Sequence, residues 1–179
     1  MSDPASTGMS ILGVDPGVAI TGYGIVRVDG DALRSVTYGV ITTPPHQALP
    51  FRLQYLYQEL LHLIEMHQPA EASVEELFFA RNVRTALSVG HARGVILLAL
   101  THAGLPTYEY TPLQVKQTIT GYGLASKEQM QQMVRLLLGL DEIPQPDDAA
   151  DALAVAICHA HFCSTSLHIA QSHQDIGKP

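Results

Sequence analysis

Cysteine is scarce in this chain of 179 residues: only Cys158 and Cys163 occur, both in the last apolar segment. If that segment is helical, their five-residue spacing turns the thiols to different sides, which argues against a disulfide and fits a reducing cytoplasm. Long apolar runs are missing too. No stretch reaches the roughly 18 apolar residues that a membrane-spanning helix requires. Residues 1–8 lack the basic and apolar regions of a signal peptide and read as a disordered lead-in. Basic residues are few, with 10 Lys and Arg against 17 Asp and Glu, for a formal net charge of −7. There is no internal repeat, no low-complexity tract, no Walker loop and no Ser/His/Asp pattern. The length suits one domain with a core of its own, placed at 9–165, with 166–179 as a flexible tail.

The negative total hides an uneven distribution. Residues 81–135 hold six of the ten basic side chains (Arg81, Arg84, Arg93, Lys116, Lys127, Arg135) and only two acids, Glu109 and Glu128. That stretch is net +4, which leaves −11 for the remainder. Such asymmetry suits a positive surface beside an acidic pocket. Ordinary solvated charges on helices account for the same numbers equally well.

The residues up to Asp15 read as a buried strand, and Thr21–Val28 as a second, β-branched one. Asp29-Gly30 is a hairpin-turn pair, and a third strand over 32–43 ends at Pro44-Pro45. Tight turns between sequential strands predict an antiparallel meander. Leu53, Leu56, Leu60, Leu61 and Ile64 mark one face of a helix over about 47–67, stopped by Pro69. A short strand over 72–76 leads into Leu77-Phe78-Phe79. Then follow a helix over about 83–103, a strand over 107–110, a helical turn at Thr111-Pro112 and a glycine loop at Gly121-Tyr122-Gly123. Ser126 with Gln129 resembles a capping box for a helix reaching Leu140, and the last helix is predicted over about 147–163. The order predicts an α/β fold with one five-stranded mixed sheet flanked by helices.

The chemistry is carried by acids at the ends of these elements. Asp15 sits where the first strand meets Pro16-Gly17, Glu75 ends another strand, and Asp148 and Asp151 stand three residues apart on one helix face. Carboxylates gathered without basic partners repel one another, and a divalent hard cation is the usual remedy. If the strand ends adjoin and the helix crosses them, two ions about 4 Å apart fit between the four acids, a phosphoryl-transfer arrangement. Oxygen ligands suit Mg²⁺ or Mn²⁺ better than zinc. Taken singly each acid has a plainer role: Asp-Pro-Gly is commonly a turn, Asp147-Asp148 a helix cap, and Glu75-Glu76 a solvated strand end.

These residues also carry a resemblance. Ile11–Gly24 (ILGVDPGVAITGYG), Val74–Asn82 (VEELFFARN), Gln114–Thr118 (QVKQT) with Gly121-Tyr122-Gly123, and Asp148–Ala154 (DAADALA) resemble the RuvC family of bacterial Holliday junction resolvases, in the family's order. The resemblance implies a ribonuclease H-like fold, a homodimer, and Mg²⁺-dependent paired nicking of four-way DNA junctions that leaves 5′ phosphate and 3′ hydroxyl ends. It also implies sequence-selective cutting and cooperation with the RuvA and RuvB branch-migration machinery. The family's catalytic, metal-holding acids match Asp15, Glu75, Asp148 and Asp151, and its DNA-contacting lysines match Lys116 and Lys127. Some members carry His at the position of Asp148. The lead-in and Pro146-Asp147 are departures, and Asp147 is open to confusion with a ligand.

Several further readings follow. The resemblance points to Phe78 as an aromatic that stacks on an opened base, worth roughly 1–3 kcal/mol, with Phe79 left to fill the core. Arg81 and Arg84 are candidate phosphate contacts, or merely exposed. Val83, Leu87, Gly90, Gly94 and Leu97 make a helix face with small residues, suited to the chain's own sheet or to a two-fold contact, with His91 nearby. Cys158-His159-Ala160-His161-Phe162-Cys163 invites a zinc reading, but its spacing fits no standard pattern and a helix is expected to scatter the side chains. An actin-like ATPase or sugar kinase shares Gly-x-Asp-x-Gly but needs two such lobes. A catalytically silent junction-binding module remains the other alternative.

Overall fold

The computed structural model of the chain describes residues 8–76 and 83–175. Five strands form one sheet: β1 (Met9–Asp15), β2 (Ile20–Asp29), β3 (Ala32–Thr42), β4 (Glu71–Glu75) and β5 (Thr107–Tyr110), in the order β3-β2-β1-β4-β5. Short turns join the first three antiparallel, as the meander expectation required. β4 and β5 return through helices and therefore pair parallel, β4 on β1 and β5 on β4. The hairpin loop falls one residue later than expected, at Gly30-Asp31, with Gly30 at φ 60° as the first central position of a type II′ turn allows.

Helices cover both faces. α1 (Leu49–His67) and α2 (Val83–His102) lie on one, where Leu56, Leu60, Ile64, Ala92, Ile96 and Leu100 pack against Leu12, Val14, Ile25, Ala72 and Val74. On the other face lie α3 (Pro112–Thr120), α4 (Lys127–Leu138) and α5 (Asp147–Asp175). α5 is buried at nearly every position from Ala149 to Ala160 because it runs between the sheet and α3 and α4. Both thiols are free. No described helix is long and apolar enough to cross a membrane.

Two elements exceed their expectations. The helical turn at Thr111-Pro112 is the start of the full helix α3. The Thr111 hydroxyl accepts from the Gln114 backbone N–H while Gln114 reaches back to the Thr111 N–H, a capping box that the sequence reading had credited only to Ser126 and Gln129. α5 continues past Cys163 to Asp175, since neither Gly nor Pro interrupts it before then.

Period-two alternation assigns each strand residue to a face. Leu12 and Val14 look toward α1 and α2, so Ile11, Gly13 and Asp15 look toward α5. On β4, Ala72 and Val74 take the first direction, and Glu71, Ser73 and Glu75 the second. The sheet thus turns Asp15 and Glu75 to the same side.

Candidate active site

β1 and β4 are adjacent and parallel, with Val14 opposite Val74, so the next residues, Asp15 and Glu75, stand side by side at the two strand ends. Their side chains hydrogen-bond to each other. The start of α5 crosses directly above. It comes this close because β1 and β2 present glycine there: Gly13 pairs with Gly24, and Gly22 pairs with Asp15. A Cβ at Gly13 would overlap the Ala152 carbonyl, and one at Gly22 the Asp148 carbonyl. These seats went unread in the sequence, although glycines at alternate positions of paired strands were a signal for a helix laid on the sheet.

The four expected acids converge electrostatically. Burial, then the charges of Glu75, Asp151 and Asp148, push the Asp15 carboxyl up to about 8. Burial and Asp151 push Glu75 up to about 7, against the lowering hydrogen bond from Asp15 and the charge of Lys116. Asp151 is also raised, chiefly by burial, despite Lys127 beside it. Asp147 adds its charge to Asp151, but its own side-chain contacts lie elsewhere. It accepts from Gln131 Nε2 at 2.8 Å and pairs with Lys127 Nζ at 3.0 Å, and these contacts lower its pKa.

Both expected lysines stand at the acids. Lys127, at the start of α4, lies 3.5 Å from Asp151. A cavity of about 200 Å³ is lined by Glu75, Asp151, Lys116, Lys127, Val115 and Met130 among others. Of the other basic residues, Arg93 pairs instead with Glu109. The expectations for Phe78, Phe79 and Arg81 lie outside the described residues, as does the side chain of Arg84.

An all-carboxylate set, half-buried and with two lysines beside four acids, fits hard divalent cations. Burial, and then the charges of the neighbouring acids, hold the Asp15 carboxyl well above the usual carboxylate range when no cation offsets them. The donors Asp15, Glu75, Asp148 and Asp151 therefore match the metal implied by the sequence.

The model of the family described as crossover junction endodeoxyribonuclease RuvC matches residues 11–159. The chain belongs to the RuvC family. A RuvC of Desulfitobacterium hafniense (strain DSM 10664 / DCB-2) is 61% identical over 153 residues, covering 86% of this chain and 93% of the relative. One of Chloroflexus aggregans is 59% identical over 157 residues, covering 88% and 96%. Among solved structures, Thermus thermophilus RuvC in complex with a Holliday junction substrate superposes with a TM-score of 0.84 at 38% identity, over 88% of this chain and 96% of that one. The sheet order and helical layers are accordingly those of a ribonuclease H-like RuvC fold.

Proposed function

We propose that this chain is a structure-selective endonuclease that resolves four-way DNA junctions by paired, symmetric, metal-dependent nicks in recombination and repair. The observation that carries the reading is the meeting of Asp15, Glu75, Asp148 and Asp151 at two strand ends and one helix start, with Lys116 and Lys127 on the same cavity. Asp15, Glu75, Asp148 and Asp151 would hold a pair of divalent cations, Mg²⁺ with Mn²⁺ as substitute, which would supply Lewis-acid chemistry for water activation and for charge at the leaving oxygen.

The chain's own part is positioning. Asp15 and Glu75 are fixed by the sheet register, and Asp148 and Asp151 by the seating of α5 on Gly22 and Gly13. Lys116 and Lys127 offer cations to backbone phosphates of the DNA. Water attack at phosphorus expels the 3′ oxygen, leaving a 5′ phosphate and a 3′ hydroxyl. Phe78 stacks on a base opened at the junction, and Arg81 and Arg84 hold flanking phosphates.

A four-way junction has near two-fold symmetry, so two sites are needed, and a homodimer supplies them. On α2, Leu87 and Leu98 are 61% and 60% exposed, with open space over Gly94 between them, while Ala92, Ile96 and Leu100 take the core. Of the expected α2 face, Leu97 packs on the core while Leu87 and Gly94 face outward, joined there by Leu98, and this outward side supports a two-fold contact. RuvA and RuvB are the partners that the family resemblance implies, and the cytoplasm is the place of action. The core domain is taken as 9–165, with α5 continuing beyond it as a helix to Asp175.

The test is incubation with a labelled, mobile four-way junction and a matched linear duplex in Mg²⁺, Mn²⁺ or EDTA. Paired nicks in the junction alone, dependent on metal and lost in Asp15→Asn while binding persists, support the proposal. Junction binding without cutting in either metal overturns it in favour of the silent module. Absence of both reopens nucleotide hydrolysis.

A further inference from the structure

Among the described residues, three potential ligand atoms of different chemistry lie within 4.8 Å of one another, away from the four acids: they belong to Glu71, His159 and Cys163. His159 Nε2 is 2.7 Å from Glu71 Oε2, Cys163 Sγ is 3.5 Å from the same nitrogen, and Sγ is 3.8 Å from the carboxylate. Nitrogen, oxygen and sulfur bonded to one tetrahedral zinc ion sit about 3.3–3.7 Å apart. Only the His159–Glu71 pair has to open, by less than about 1 Å, for all three to share an ion. We propose that Glu71, His159 and Cys163 form a second, zinc-type metal site at the opposite end of the elements that carry the nuclease acids.

The sequence reading set zinc aside because it looked along the helix alone. His159 and Cys163 are four apart and share a face. The third donor comes from the first residue of β4, 88 positions earlier. Glu71 shares the α5-facing side of β4 with Glu75 at the strand's other end.

Surrounding groups are arranged for coordination. His159 is 1% exposed, and its ring stacks on Tyr108 with centroids 4.3 Å apart. Its Nδ1 is 2.8 Å from the Tyr110 hydroxyl. A neutral imidazole meets both neighbours with Nε2–H donating to Glu71 and Nδ1 accepting from Tyr110. On coordination the tautomer reverses, and Nδ1–H donates to the same hydroxyl, which serves equally as acceptor. An outer partner on the distal ring nitrogen is what metal-bound histidines need. An open cavity of about 580 Å³, with Met9 and Phe162 on its wall, leaves the fourth position to water.

The donor chemistry separates this site from the other one. Thiolate and imidazole select zinc or cobalt over Mg²⁺ or Mn²⁺, which the all-oxygen site prefers. Coordination sends the Cys163 proton to solvent and ties α5 to β4, so zinc stabilises the fold by mass action.

The probe is Co²⁺ alone, titrated into the full chain in excess Mg²⁺, followed by Zn²⁺. The expected result is one equivalent of Co²⁺ with a thiolate-to-cobalt charge-transfer band and intense visible bands of a four-coordinate ion, bleached by Zn²⁺. Cys163→Ser removes the charge-transfer band, Glu71→Gln weakens binding, and Tyr110→Phe lowers zinc affinity about tenfold or more. Cys158→Ser and Asp15→Asn leave the spectrum unchanged. Zn²⁺ raises the melting temperature of the parent chain and not of Cys163→Ser, whose metal-free circular dichroism matches the parent. No charge-transfer band, or a band that survives Cys163→Ser, overturns the proposal. Neither readout uses DNA cleavage, so the site stands or falls independently of the nuclease reading.

Discussion

Gly22 of β2 lies so close beneath the Asp148 carbonyl at the start of α5 that a methyl group on it would overlap that oxygen. Backbone, not a flexible side chain, is the obstacle, so α5 has to lift for any larger residue to fit. Gly22 is also the cross-strand partner of Asp15. Gly22→Ala therefore separates the helix acids from the strand acids. The expected cost is about 1–3 kcal/mol in stability and roughly 100-fold in junction nicking from a displacement near 1 Å. Melting curves and single-turnover cleavage check both. A variant that cuts at the parental rate would show that α5 has slack and that the glycine seat does not position the acids.

The carboxyls of Asp15 and Glu75 predict how the metal-free protein responds to pH. Their folded values of about 8 and about 7 lie above the ordinary 3.8 and 4.5, so the native state binds more protons than the unfolded chain between these limits. Unfolding free energy then falls as pH rises. The stability these groups contribute is complete below about pH 4 and is lost by the time pH passes about 8. Divalent cations bind the ionised form and remove that loss. In EDTA the melting temperature should drop from about pH 5 to about pH 8, while in Mg²⁺ the drop is smaller, so the stabilisation by Mg²⁺ widens with pH. A metal-free melting temperature that is flat or rises over this window contradicts the assignment.

The acids were legible because each stands at the end of an element that its own neighbours define: Pro16-Gly17 after Asp15, and an apolar helix after Asp148. The sheet followed from turn residues and β-branched runs. What escaped has physical reasons. Gly13, Gly22 and Gly24 act through α5, which is distant in sequence, so their alternation signals a close approach without saying which element makes it. α3 was taken for a turn because its capping box hides behind Thr111-Pro112. The grouping of Glu71 with His159 and Cys163 needs the sheet before it exists. Residues 77–82, with Phe78 and Arg81, lie outside the described part, so that side of the site rests on the sequence alone.

Asp147 and Asp148 are neighbours with overlapping but unequal surroundings. Asp147 is held by Lys127 and Gln131, and both charges raise Asp151, but of the two it is Asp148 whose charge raises Asp15. Asp147→Asn should leave nicking within about threefold, since an exposed ion pair contributes little. Asp148→Asn should lower it by roughly two orders of magnitude or more by weakening the metal shell. Paired cleavage assays at several Mg²⁺ concentrations decide it, and equal losses in both variants would place Asp147 among the ligands.

The outward half of α2 yields the last prediction. Leu87, Gly94 and Leu98 recur at helical spacing on the side away from the core, so a charge there does not disturb Ile96 or Leu100 beneath. Each large apolar side chain buried in a two-fold contact is worth about 1.5–3 kcal/mol, and symmetry counts a single substitution twice. Leu98→Glu should therefore convert the proposed dimer to monomer at micromolar concentration while leaving the melting temperature of the monomer nearly unchanged. Light scattering coupled to size exclusion reads the mass, and a supercoiled cruciform plasmid reads the coupling of the two cuts. Because a monomer carries only one set of Asp15, Glu75, Asp148 and Asp151, it should release single nicks rather than paired ones. A Leu98→Glu protein that stays dimeric and still cuts both strands would move the two-fold contact to another face.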